Sequence, residues 1–242
     1  MIDAVFISDL HLHPQNAVIT ARFNYFVQWA AKNARVVYIL GDFLHVWPGD
    51  DALDDWSMGV FKQLAWLTDQ GVKVYFMPGN RDFLLSRSFA RAAKVIMLTE
   101  PFVVRLGDEP VLLVHGDRLC TNDTGHQWLR RLTRNRIFTT IFLKLPLIYR
   151  SKLVNTVRQS SQRNRQKLSV IMDVVPAFMI KLMNRYQVQT LIHGHTHKHG
   201  LTMHSHQGHI YRQYVLSDWD DAPVLLCYDR SSGFYFIRQD EV

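Results

Sequence analysis

A chain of 242 residues suits one domain, or one domain with a sizeable insertion, and is long enough to enclose a substantial core. Hydrophobic residues at 48% and charged residues at 20% exclude wholesale disorder, and two cysteines, Cys120 and Cys227, exclude a disulfide scaffold or a cysteine zinc site. There is no secretory pattern and no apolar stretch near the ~20 residues a membrane-spanning helix needs, so a reduced, cytoplasmic setting is expected. The net charge of +7 is unevenly placed. The 49 residues between Asp123 and Asp173 hold no acid and eleven cations: Arg130, Arg131, Arg134, Arg136, Lys144, Arg150, Lys152, Arg158, Arg163, Arg165 and Lys167. That leaves 17 basic against 21 acidic residues elsewhere, an acidic body carrying a basic block. Such a block attracts phosphates, on nucleic acid, an anionic membrane or an anionic substrate.

In chain order, Val5-Phe6-Ile7 reads as a strand, and Ile19 to Ala31 as a helix with Phe23, Phe26, Val27 and Ala30 on one face. Val36 to Leu40 is a buried strand, Trp56 to Leu67 a helix, Val72 to Met77 a third strand and Leu85 to Ala92 a short helix. This rhythm predicts a layered α/β fold, with central mixed β-sheets flanked by helices. Phe102 to Leu106, a Gly107-Asp108 turn and Val111 to Val114 predict a hairpin. The basic block reads as helical, with an apolar section from Ile137 to Tyr149 broken by Lys144 and Pro146. Ser169 to Tyr186 is expected to be a further helix, bent or broken near Pro176. The remainder reads as strands: Thr190 to Ile192, Gly200 to His204, Ile210 to Leu216, Val224 to Tyr228 and Phe234 to Ile237. A core of residues 1–122 and 173–242, interrupted by a helical, basic insertion at 123–172, is the simplest organisation.

Polar residues recur where strands end: Ser8-Asp9-Leu10-His11, Gly41-Asp42, Gly79-Asn80-Arg81-Asp82, His115-Gly116-Asp117 and His193-Gly194-His195-Thr196-His197. Carboxyl ends of strands in α/β sheets converge on one crevice, so five loops distant in sequence are expected to meet. In Asp9-x-His11 and His195-x-His197, an extended backbone would point both side chains to one side. Imidazole and carboxylate without thiolate suit Mn²⁺, Fe²⁺ or Zn²⁺. Asp9, His11, Asp42, Asn80, His115, His195 and His197 exceed what one ion takes from a protein. Two ions sharing a carboxylate would use them all, and Asp42, alone between the flanking pairs, is the chosen bridge. The glycines at 41, 79, 116 and 194 allow close approach of backbone to the site. His204, His206 and His209 read as an exposed hairpin rather than a third metal site, and His13 beside Pro14 as loop.

In that order the five motifs resemble the signature of the calcineurin-like metallophosphoesterases. Gly79 to Leu85, His115 to Thr121, Leu145-Pro146-Leu147, Ile171 to Val174 and His193 to His197 resemble, more narrowly, the UDP-2,3-diacylglucosamine diphosphatases of lipid A biosynthesis. The resemblance runs from residue 5 to about residue 219, insertion included. It implies Mn²⁺ held by Asp9, His11 and His197, a second Mn²⁺ held by Asn80, His115 and His195, and Asp42 between them. It assigns substrate contacts to Asn80, Arg81, Asp123, Ser161, Asn164, Lys167 and His195, and catalytic roles to Asp9, Asp42, Asn80, Arg81, His115 and His195. Arg81 stands where many relatives place a histidine, which favours a two-pronged grip on a diphosphate. His45, His126 and Lys198-His199-Gly200 depart from the family pattern.

The implied reaction is attack of metal-activated water on the α-phosphorus of the UDP-linked diacylated glucosamine, releasing UMP and a diacylglucosamine 1-phosphate (lipid X). The cations of the insertion would neutralise the diphosphate. Trp128, Leu129, Ile137, Phe138, Ile141, Phe142, Leu143, Leu147 and Ile148 would line a slot for acyl chains, or merely pack the insertion's helices together. The same surface would rest peripherally on the anionic cytoplasmic face of an inner membrane. The alternative is a two-metal nuclease, but its basic block would carry stacking aromatics between its cations, so no nucleic acid is expected as partner.

Overall fold

The structure, a computed structural model, describes residues 1–165, 173–221 and 223–239. Two mixed sheets face each other. The first holds β1 (Ala4–Ile7), β2 (Val36–Leu40), β3 (Lys73–Met77), β4 (Ile96–Met97), β10 (Val224–Asp229) and β11 (Gly233–Arg238), in the order β11-β10-β1-β2-β3-β4. β1 to β4 run parallel; β10 is antiparallel to both β1 and β11. The second sheet holds β5 (Phe102–Leu106), β6 (Glu109–Leu113), β7 (Thr190–His193), β8 (Gly200–His206) and β9 (His209–Val215), ordered β5-β6-β7-β9-β8. The two-residue β4, without a pattern long enough to read, is the strand that the sequence does not announce.

Alternation along the strands explains the layers. Ala4 and Phe6 of β1, Tyr38 and Leu40 of β2 and Met77 of β3 meet Leu113, Ile192 and Tyr214 of the other sheet. Val5, Ile7, Val37, Ile39, Val74 and Phe76 face the opposite way, onto α1 (Ala17–Asn33), α2 (Asp55–Asp69) and α3 (Arg87–Ala92). Leu112 and Leu191 turn outward from the second sheet onto Met179 and Met183 of α7 (Pro176–Arg185). Strands buried on both faces read as continuous apolar runs, as these do.

α1 buries Ile19, Phe23, Phe26, Val27 and Ala30, one stripe at helical spacing, and starts where Asn16 Oδ1 accepts the Ile19 N–H. Asp54 and Ser57 form a capping box at the start of α2. The expected helix over 169–186 is corrected at its start: α7 begins at Pro176, and residues 169–172 lie outside the described residues. Proline disfavours helical backbone in the residue before it and suits the first helical position, so it starts this helix rather than bending it.

Between a single 3₁₀ turn at Asp117–Leu119 and α7 lie α4 (Thr124–Thr133), α5 (Arg136–Leu143) and α6 (Leu147–Arg165). Asp123 and Asn135 cap the first two, and the chain breaks around Lys144-Leu145-Pro146 as its proline predicts. Among the described residues no helix is long and apolar enough to cross a membrane.

Candidate metal centre

The loops that follow β1, β2, β3, β6 and β7 meet at one end of the facing sheets. Backbone bonds stitch them together: Asp9 N–H to Gly41 O at 3.1 Å, His11 N–H to Asp42 O at 2.9 Å, and Gly194 N–H to His115 O at 2.8 Å. Side chains then fit only where glycine leaves room. A Cβ on Gly194 would lie 2.0 Å from Ser8 Oγ and 2.2 Å from Asp9 Oδ2; one on Gly79 would lie 2.2 Å from Asp42 Oδ1. Close approach, as the sequence predicts, is what these two positions require.

Asp9, His11, Asp42, His195 and His197 all have positive φ, at 55°, 53°, 53°, 69° and 59°. The expectation of extended Asp-x-His and His-x-His segments is therefore corrected, because left-handed turns rather than a pleat aim these side chains. Each such residue costs about 1–2 kcal/mol, strain of a kind concentrated at functional sites.

Asp9 Oδ2 is saturated by the Ser8 hydroxyl at 2.6 Å and the His195 N–H at 2.7 Å. Its Oδ1 is buried without a hydrogen-bond partner, 3.5 Å from His197 Nε2 and 3.9 Å from His11 Nε2. Asp42 looks both ways. Its Oδ2 lies 3.4 Å from His11 Nε2, and its Oδ1 lies 3.5 Å from His115 Nε2 while accepting the Arg81 N–H at 2.9 Å. Arg81 Nε lies 3.2 Å from Asp42 Oδ2, and its Nη1 3.4 Å from His45 Nδ1. Buried Asp82 braces the neighbouring loops by accepting the Gly79 and Phe43 N–H groups, each at 2.7 Å.

His115 has both ring nitrogens in polar contacts. Its Nδ1 lies 2.8 Å from the Leu40 carbonyl, which requires an N–H there and leaves Nε2 as a lone pair in the neutral ring. That lone pair faces Asn80 Oδ1 at 2.9 Å and Asp42 Oδ1 at 3.5 Å, both acceptors. A cation or a proton placed there would reconcile them. Burial opposes charge on His115, yet Asp42, Asp9, Asp117 and Glu100 outweigh it and push its pKa up to about 9. Burial also works against the charges of Asp9 and Asp42; the histidines around them, with Arg81 for Asp42, hold both carboxyls well below the usual carboxylate range. Burial and then the His115 charge push His195 down to about 3, so its buried, unpartnered Nδ1 belongs to a neutral ring.

The residues fit divalent ions. Donor atoms of Asp9, His11 and His197, and of Asp9, Asp42 and His115, lie within 4.8 Å of one another in each set. Neighbouring ligands on an ion with bonds of about 2.1 Å are about 3.0–3.4 Å apart, near the separations seen here. Asn80 Oδ1 lies 2.9 Å from His115 Nε2, and the His195 ring lies 5.2 Å from that of His115, outside both donor sets. Sequence reasoning missed Asp218, whose Oδ2 lies 2.8 Å from His197 Nδ1 and turns Nε2 toward Asp9. The signal was present, since Ser217-Asp218 also follows a strand, β9.

The other expected site residues are more scattered. Asp123 caps α4 by accepting the His126 N–H at 2.9 Å, and the His126 ring lies 5.4 Å from that of His195. Ser161 and Asn164 fall near the end of α6, and Lys167 lies outside the described residues. His204, His206 and His209 lie on the β8–β9 hairpin, outside both donor sets. His13 packs on the His45 ring at 4.9 Å.

The role expected of the basic block needs correction. Arg130 pairs with Asp117 and Glu100, and Arg134 donates to the Pro78 and Gly79 carbonyls. Arg150, 1% exposed, donates to the Pro48 and Leu145 carbonyls and pairs with Asp51. These three fasten the insertion to the core instead of facing a ligand. Phe142 is buried in the core and Phe138 packs against it, so both belong to packing. Trp128, Ile137, Ile141, Leu143 and Ile148 remain exposed.

A fold of two facing sheets with strand-end loops gathering imidazole and carboxylate defines a metallophosphoesterase. The profile of the calcineurin-like phosphoesterase family matches residues 3–199, and the chain belongs to that family. Its curated relatives include the UDP-2,3-diacylglucosamine hydrolase of Ectopseudomonas mendocina, 43% identical over 215 residues (88% of this chain, 89% of the relative). Another is the UDP-2,3-diacylglucosamine hydrolase of Pseudomonas syringae pv. syringae, 41% identical over 238 residues (96% of each chain). Among solved structures, an archaeal phosphodiesterase superposes with a TM-score of 0.50 at 11% identity, covering 97% of this chain and 98% of its own, which supports the fold alone.

Proposed function

We propose that this chain hydrolyses the diphosphate of UDP-2,3-diacylglucosamine, giving UMP and 2,3-diacylglucosamine 1-phosphate in lipid A biosynthesis. The substrate reading rests on relatives whose similarity spans the insertion as well as the core. The observation that carries the chemistry is Asp42, with one carboxylate oxygen 3.4 Å from His11 Nε2 and the other 3.5 Å from His115 Nε2. Asp9, His11 and His197 would hold one divalent ion and Asn80, His115 and His195 another, with Asp42 between them. Mn²⁺ suits this thiolate-free donor set. Ions bound there supply Lewis-acid charge and a nucleophile drawn from water near neutral pH.

The chain supplies the rest. Asp42 fixes Arg81 through both its backbone N–H and its Nε, leaving further guanidinium donors for phosphoryl oxygens. His195, neutral and buried, offers an imidazole without adding charge. Attack at the α-phosphorus breaks its bond to the bridging oxygen, which leaves with the sugar phosphate.

We take residues 1–122 and 173–242 as the catalytic core, and 123–172 as a substrate-binding insertion. Its exposed Trp128, Ile137, Ile141 and Ile148 would receive acyl chains and rest on the inner membrane's cytoplasmic face. Asp123, Ser161, Asn164 and Lys167 would add polar contacts to the substrate.

The test is incubation with UDP-2,3-diacylglucosamine and Mn²⁺ in ¹⁸O-labelled water. Labelled UMP is expected. Label in the sugar phosphate would overturn attack at the α-phosphorus. Cleavage of oligonucleotides with none of the glycolipid would overturn the substrate.

A further inference from the structure

One guanidinium of the insertion pairs with two carboxylates beside His115. Arg130, on α4, donates from Nη2 to Glu100 Oε2 at 2.7 Å and from Nε to Asp117 Oδ2 at 3.0 Å. The other oxygen of Glu100 accepts the backbone N–H of His115 at 2.9 Å, while Asp117 stands two residues beyond it. The side chains of Glu100 and Asp117 are 5% and 0% exposed, so neither carboxylate has water to turn to if Arg130 is lost. One turn further, at the C-cap of α4, Arg134 Nη2 donates to Gly79 O at 2.9 Å and Pro78 O at 3.2 Å, the two carbonyls preceding Asn80. The same helix therefore grips both loops that bring Asn80 and His115 together. Arg150 anchors the insertion elsewhere, on Pro48 and Asp51.

We infer that Arg130 is a positioning residue for the Asn80–His115 half of the metal centre, so that docking of the insertion and affinity for the second ion are coupled. The inference rests on the two-ion reading above. Its physical basis is the fork of the guanidinium: a planar group spans two carboxylates, whereas the point charge of a lysine holds one.

The experiment is a Mn²⁺ titration of the full chain against a chromophoric chelator, with folding followed by circular dichroism. The parent is expected to bind two ions. Arg130→Met is expected to keep one site unchanged and to weaken the other by about tenfold, the lower end of the effect of losing a group bonded to a ligand itself, because Arg130 acts through Glu100. Arg130→Lys falls between them and serves alone if Arg130→Met does not fold. Arg150→Lys, which loosens the other anchor, leaves both sites as in the parent. Unchanged affinities in the Arg130 variants overturn the inference while leaving the two-ion reading intact. Equal weakening in Arg150→Lys overturns it too, since that marks general loosening of the insertion. A parent that binds no divalent ion overturns both.

Discussion

Asp42 is the residue where the two halves of the centre meet, and its side chain is almost completely buried. Asp42→Ala removes the carboxylate that both His11 and His115 face, together with the anchor of Arg81. We expect kcat to fall about 10³-fold or more, as for loss of a main electrostatic element, with Mn²⁺ stoichiometry falling below two and far-UV circular dichroism unchanged. Near-normal turnover would remove Asp42 from the bridging position. The residues around it differ in how visible they are before folding. Asp9, His11, Asn80 and His195 sit in short strings at strand ends, where type and spacing together betray them. Glu100, Arg130 and Asp218 do not, because each acquires meaning only through a partner the fold brings from elsewhere. Arg130 belongs with them, because a cation in a basic block looks ready for a phosphate until the two carboxylates beneath it are placed.

At the scale of elements, α2 offers a separable test. Asp54 accepts the Ser57 N–H at 2.8 Å, and the Ser57 hydroxyl lies against the same carboxylate oxygen. The Ser57 hydroxyl and N–H hold the Asp54 carboxyl below its usual range against a smaller opposing effect of burial. Asp54→Ala is expected to cost about 1 kcal/mol of stability at pH 7, read as a lower urea midpoint, and Asp54→Asn to recover most of it. The sign with pH follows from a depressed folded pKa. The cap contributes fully above the unfolded carboxyl value of about 3.9 and is lost as pH falls through the lower folded value. The gap between parent and Asp54→Ala should therefore narrow below about pH 4; a gap that widens there would exclude the charged cap. Helices such as α1 were legible because five buried positions repeat at helical spacing. Two residues of β4 carry no period, and Asp-x-His looked extended because spacing alone cannot reveal a positive φ.

For the whole molecule, the charge count overstates what the insertion presents to a partner. Arg130, Arg134 and Arg150 are occupied internally, whereas Arg131, Arg136, Lys144 and Lys152 are exposed and have no ion pair among the described residues. Beside them Ile137, Ile141 and Ile148 are 72%, 60% and 62% exposed. Replacing these three by serine is expected to weaken partition onto anionic vesicles about 100-fold, each inserted side chain contributing on the order of 1 kcal/mol. The unfolding midpoint should stay nearly unchanged, because the side chains pack on little. Vesicle binding that is equal in parent and triple variant would detach the apolar face from any membrane role. The layered architecture was legible in the sequence, but which apolar residues of the insertion face outward was not: Phe138 and Phe142 look no different there from Ile137 and Ile141. The bond from His195 to Asp9 spans 186 positions of the chain. During synthesis on the ribosome, Asp9, His11 and Asp42 thus emerge long before His195 and His197, which pack against them in the folded chain. A nascent polypeptide stalled anywhere ahead of residue 195 would leave Asp9 without the backbone N–H that its carboxylate accepts in the folded chain.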